Sequence, residues 1–228
     1  QARAQEKLYF YGVKSIEPLK IQIIREVFRV ILQAIPRCEN ILVTGSFLEP
    51  GFHFNDIDAL IVNYEKIDEG FLKRKIEKEM QISIHLLVLS QDALLRGLAT
   101  DPLYQMMLNK AIARKRFIYH AQREMNYKLL DVHLLKSKSL IDNFEFLTGD
   151  EKYYFTRNMV AILMFIQRRG LNKENVDKEI VKLFSLKNIK ELQQNMIERK
   201  IFLNRFKNVY RKTFDLVLDG VAHAPKQE

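Results

Sequence analysis

Two aspartates, Asp56 and Asp58, stand two residues apart and lead into the apolar run Ala59-Leu60-Ile61-Val62. On a strand, alternate side chains share a face, so the two carboxylates lie side by side, with Cα atoms roughly 6–7 Å apart. Ile57 and Ala59 then point the other way, into a core. Paired anions repel and desolvate poorly. A hard divalent cation resolves that conflict, and Mg2+ commonly takes one or two carboxylates while sharing substrate phosphates. Nine residues separate Asp56 from Gly45-Ser46, which follows the short apolar run Ile41-Leu42-Val43. Such a turn offers backbone N–H groups to phosphate, and glycine removes the Cβ that would block close approach.

A Gly-Ser turn, about nine residues, then Asp-hydrophobic-Asp-hydrophobic resembles the signature of the DNA polymerase β-type nucleotidyltransferase superfamily. The prokaryotic minimal nucleotidyltransferases are the nearest resemblance. Gly45, Ser46, Asp56 and Asp58 match residue by residue, and Asn55 stands where the family often has a small polar residue. The resemblance implies a mixed sheet with flanking helices. It also implies an NTP substrate, Mg2+ or Mn2+ on Asp56 and Asp58, a triphosphate on Gly45-Ser46, and pyrophosphate release. The family's next strand usually adds a third carboxylate. Here that strand reads Ile82-Ser-Ile-His-Leu-Leu-Val-Leu89, and the candidate positions hold Ser83 and His85. His85 is a metal ligand or proton acceptor on one reading and a hydrogen-bonded structural histidine on the other. Asp92 and Asp101 are weaker substitutes for the missing acid. The departure keeps a second class open: a nucleotidyltransferase-like protein that binds nucleotide or RNA, or an antitoxin-like regulator.

The elements that must carry these residues follow from periodicity. A helix is expected over 15–35, capped by Ser15, with Pro18 in its first turn and a stripe of Ile23, Ile24, Val27, Phe28, Ile31 and Ile35. Pro50-Gly51 breaks the spacer between Ser46 and Asp56. A helix over 67–80 carries Lys73, Arg74, Lys75 and Lys78, a solvated charge run or a source of one cation for the triphosphate. A short helix over 93–97 and another over 101–114, capped by Asp101, precede Arg116-Phe117-Ile118-Tyr119. That last run resembles the closing strand of the family's catalytic domain and sets a boundary at residue 120.

No strand pattern follows residue 122. Helices are expected at 123–147, 151–169, 174–185 and 188–218, the second with the widest apolar face, Tyr154 to Ile166, at the centre of a four-helix bundle. The expected architecture is therefore α+β: a nucleotidyltransferase-like domain over 1–120, then an all-α helical bundle over 121–228 that closes the cleft and presents the acceptor. Bundles of this kind in HEPN ribonucleases carry Arg, four to six residues, then His. The bundle here has no such pair, since Arg205 is followed at that spacing by Tyr210. Tyr153, Tyr154 and Phe155 serve either base stacking or the core.

Composition sets the remaining bounds. The 228 residues carry 37 Lys/Arg against 28 Asp/Glu, a net +9. Residues 1–120 account for 17 against 14 and residues 121–228 for 20 against 14, so the C-terminal half is the more cationic. RNA is the polyanion such a surface attracts, with a solvated helical surface as the alternative use. A protein partner is a further possibility. The single cysteine, Cys38, excludes an internal disulfide and a cysteine-based zinc cluster. No apolar run reaches membrane-spanning length, Gln1 to Lys7 lacks a signal-peptide core, and a reducing cytoplasm is the expected setting.

Overall fold

The computed structural model describes residues 5–225. It is α+β, with a five-stranded mixed sheet, flanking helices and a C-terminal helical region. The chain forms two compact units. One holds the residues up to Leu98 together with Met107–Gln122, and the other holds Ala99–Met106 together with Arg123 onward.

The elements run β1 (Tyr9–Tyr11), α1 (Pro18–Ala34), β2 (Asn40–Thr44), β3 (Ile57–Val62), α2 (Glu69–Met80), β4 (Ile84–Leu89), α3 (Gln91–Thr100), α4 (Pro102–Leu108) and β5 (Ala111–Ala113). The sheet order is β1-β5-β2-β3-β4. All neighbours are antiparallel except β3 and β4, which are parallel and joined through α2. One sheet face packs Ile41, Val43, Ile57, Ala59, Ile61, Ile84 and Ile112 with Ile24, Val27, Phe28 and Ile31 of α1 and Leu72 and Ile76 of α2. The expected stripe of α1 is thus the buried one. Cys38 belongs to the same core, and burial pushes its thiol pKa up, so it is an idle thiol.

Three local expectations change. Ser15 does not cap α1, which begins at Pro18 because the residue before proline is driven out of helical geometry. Glu17 accordingly sits at φ −64°, ψ 136° and makes no side-chain cap. Ser83 lies just before β4 rather than within it, although its carbonyl accepts Ile57 N at 3.0 Å. The largest change is near residue 110. The helix expected over 101–114 stops at Leu108, and the strand that lies between β1 and β2 is Ala111–Ala113, not Arg116–Tyr119. Alanine favours helices, but here three small or branched residues are wholly buried between two strands, so pairing and packing override propensity.

The second unit continues with α5 (Tyr127–Ser137), α6 (Ser139–Asn143), α7 (Gly149–Ile166), α8 (Lys173–Phe184), α9 (Lys190–Gln193) and α10 (Arg199–His223). Helix α7 is central, packing against α5, α6, α8, α9 and α10. Thr148 and Glu151 form its capping box. Two long helices expected from periodicity are interrupted. Residues 123–147 give α5 and α6, started by the Asn126 cap on Leu129 N. Residues 188–218 break at Asn195, with φ +58°, before Glu198 accepts from Lys200 N and Ile201 N to start α10. No helix among the described residues is long and apolar enough to cross a membrane.

The corrected strand gives a direct test. Ile112 is fully buried, whereas Ile118 is 65% exposed. Ile112→Ala should cost about 2–5 kcal/mol, and Ile118→Ala less than about 0.5 kcal/mol. Chemical denaturation of both variants checks this, and a larger loss at Ile118 would return the strand to 116–119.

Candidate functional site

The Gly-Ser turn and the aspartate pair meet because β2 and β3 are antiparallel with Thr44 opposite Asp58. The parallel pairing of β3 with β4 puts His85 opposite Asp58 on the other side. Thr44, Asp58 and His85 therefore stand in a row across three strands. The Asp58 Oδ1 to His85 Nδ1 distance is 3.5 Å, an ion-pair distance too long for a strong hydrogen bond. Asp56 precedes the first residue of β3. Ile57 and Ala59 point into the core, as alternation requires, and both aspartates are partly exposed.

Gly45 is where the turn and the carboxylate touch. Its backbone sits at φ 82°, ψ −164°, a region open essentially to glycine alone. A Cβ built on it would overlap Asp58 Oδ2. The close approach that this glycine permits is to Asp58. Ser46 is exposed and opens a single 3-10 turn, Ser46–Leu48, closed by Leu48 N to Gly45 O and Glu49 N to Ser46 O at 3.1 Å each. Buried Phe47 and Leu48 anchor that turn.

The charges are strained. Burial first, then the Asp56 charge, hold the Asp58 carboxyl above its ordinary range, and His85 pulls the other way. A cation between the two carboxylates would relieve that strain, so the oxygen donors suit one hard metal ion that completes its shell with water and phosphate. The set is small: among the described residues, no group of three or more His, Cys, Asp or Glu could by itself hold a metal.

One residue that pattern reading missed is Lys20. It is fully buried on α1. Its Nζ donates to Glu49 O at 2.6 Å and to Gly51 O, and pairs with Glu17 Oε2 at 3.2 Å. Phe47, Phe52 and Phe54 place their rings 5.2–5.9 Å from the same ammonium. Glu17 Oε1 accepts Gly51 N at 2.6 Å. The segment between Ser46 and Asp56 is thereby clamped to α1. The signal was a lysine four residues before Ile24, on the apolar stripe, where a charge is out of place unless it is paired.

The other singled-out residues have structural tasks. Asp101 accepts Leu103 N at 2.9 Å to start α4 and pairs with His133 at 3.0 Å. Tyr153 is buried with its hydroxyl on Asp177 at 2.5 Å. Arg205 donates to the carbonyl of Phe184 at the end of α8. Lys73 pairs with Glu77 at 3.9 Å within α2. No family model matches the chain, and no curated protein matches it.

Two measurements test this geometry. Gly45→Ala should destabilise by about 1–3 kcal/mol from backbone strain alone. The Asp58→Ala background should remove only the part due to overlap, so the double-mutant cycle should show coupling. No coupling would mean the turn and Asp58 are not in contact. Asp58→Asn should stabilise the fold at pH 7, by about 1 kcal/mol or less because a side chain 40% exposed is well screened. A carboxyl raised on folding costs stability once ionised, so the gain should shrink as pH falls through the raised folded-state range and be gone below the ordinary aspartate range. Thermal melts from pH 3 to 8 check it, and a gain that grows on acidification would reverse the sign.

Proposed function

We propose that the chain is a metal-dependent nucleotidyltransferase of the DNA polymerase β type, moving an NMP from an NTP to an acceptor. The observation that carries this reading is the Gly45–Asp58 contact, which joins both halves of the sequence signature at one point. A glycine held at an angle few other residues tolerate, against a partly buried aspartate, is costly unless the approach serves a ligand.

On this reading Asp56 and Asp58 would hold Mg2+ or Mn2+, which when bound supplies charge neutralisation on the phosphates. The exposed Gly45-Ser46 turn binds the triphosphate through backbone N–H groups. The acceptor's oxygen attacks the α-phosphorus, a new P–O bond forms, and the bond to the β-phosphate bridging oxygen breaks to release pyrophosphate. The acceptor's proton passes to the imidazole of His85, which lies beside Asp58. With an imidazole rather than a third carboxylate, the site suits one tightly held ion rather than two. RNA, a protein side chain and a small molecule are the acceptor classes to test.

A second reading rests on the same histidine. His85 stands opposite Asp58 on the strand where the resembling family usually has an acid, which favours a protein that binds nucleotide or RNA without turnover, or an antitoxin-like regulator. Calorimetry with Mg2+–NTP and incubation with labelled NTPs, Mg2+ or Mn2+ and the three acceptor pools decide. The expected result is labelling of one pool and loss of metal-dependent NTP affinity in the Asp56→Asn/Asp58→Asn variant. His85→Ala should lower turnover by about 10²–10⁴-fold and spare NTP binding. NTP affinity unchanged in the double aspartate variant would remove the site. Binding without labelling of any pool selects the second reading.

A further inference from the structure

At the edge of the sheet formed by β1, away from the aspartate pair, lies a groove of about 260 Å³. It is lined by Glu6, Lys7, Tyr9, Arg114, Lys115 and Arg116, four cations against one carboxylate. The run that supplies half of its lining is one-sided in charge. Between Asp101 and Glu124 the chain has Lys110, Arg114, Lys115, Arg116 and Arg123 and no acidic residue.

The backbone here is fixed by hydrogen bonds to β2. Arg114 N donates to Ile41 O and Lys115 N to Asn40 Oδ1, at 2.9 Å each. Lys115 and Arg116 are exposed. Arg114 Nε lies at an ion-pair distance of 3.7 Å from Glu6 Oε2, beyond hydrogen-bond reach, and is the one buried side-chain nitrogen or oxygen among the described residues with no hydrogen-bond partner. The guanidinium fork matches phosphate geometry.

Aromatic rings adjoin these cations. Lys7 Nζ lies 5.4 Å from the Tyr9 ring. Tyr11, on the same face of β1 as Tyr9, accepts Phe117 N at its hydroxyl and lies 4.2 Å from the Phe117 ring; Tyr119 stacks on Phe117 at 4.7 Å. Cations tracking a backbone, next to ring faces, is the arrangement by which proteins hold single strands. An acidic peptide would use the cations and leave the rings without a role.

We propose that this edge binds single-stranded nucleic acid, with a backbone phosphate on Arg114, Lys115 and Arg116 and a base against Tyr9. The proposal does not depend on the transfer chemistry, and it puts the polyanion on the first unit rather than on the more cationic C-terminal half.

Fluorescence anisotropy with a labelled 12-nucleotide single-stranded RNA, from 50 to 200 mM salt, is the test, with inorganic polyphosphate as the second probe. Lys115→Glu/Arg116→Glu, at exposed positions, should weaken RNA binding at least tenfold and reduce the salt slope by about 0.7, the value for one phosphate contact. Tyr9→Leu should weaken RNA binding on the order of tenfold and leave polyphosphate unaffected. The proposal is overturned by absence of wild-type binding at 50 mM salt. It is overturned equally by a silent Lys115→Glu/Arg116→Glu variant, which would move the contact elsewhere. A silent Tyr9→Leu variant, or one that loses both probes alike, would reduce the groove to a simple anion site and also overturn it.

Discussion

The burial of the Asp58 carboxyl beside Asp56 is the constraint around which the candidate site in the first unit is arranged. Burial and like charge raise the Asp58 carboxyl, and His85 offsets only part of that cost. Glycine at position 45 adds to it, since its backbone is pressed against the same carboxylate. Natural sequences tend to carry such local conflicts where a ligand resolves them. The rest of the unit supplies rigidity. β2, β3 and β4 fix the row Thr44–Asp58–His85 by register, and the apolar face beneath them prevents slippage, because a one-residue shift would turn every core side chain outward.

The site was more legible in the sequence than its frame. Asp56, Asp58, Gly45 and Ser46 stood out by residue type and spacing, and the family resemblance pointed to Ser83 and His85 on the next strand, of which β4 pairs His85 with Asp58. The apolar stripe of α1 was equally plain. Ala111–Ala113 was not, because two alanines and an isoleucine carry no strand signature until β1 and β2 close on them from either side. The apolar-looking Phe117-Ile118 drew the strand toward itself although Ile118 faces solvent. Lys20 was missed for a related reason. Periodicity scores a lysine as a surface residue, and only its partners twenty-nine and thirty-one residues away reveal the buried role.

The helical unit shows the same division. The existence of its long helices was clear from the 3.6-residue period, and so was the central place of α7. Their ends were set by side chains that accept backbone N–H groups, Asn126, Thr148, Asn172 and Glu198, and by the left-handed residue Asn195. Those are local choices competing within one or two turns, where pattern reading is weakest.

The Lys20 clamp also bears on how the site comes into being. A buried ammonium is tolerable only when its carbonyls, its carboxylate and its rings are all in place, so the segment from Ser46 to Asp56 cannot settle before α1 docks. These are contacts of long sequence separation, whose loop-closure entropy must be met before they give anything back. The site therefore belongs to the late, cooperative part of folding. A partly folded chain that already has β2 and β3 paired would hold both aspartates in register and still lack the turn that faces them.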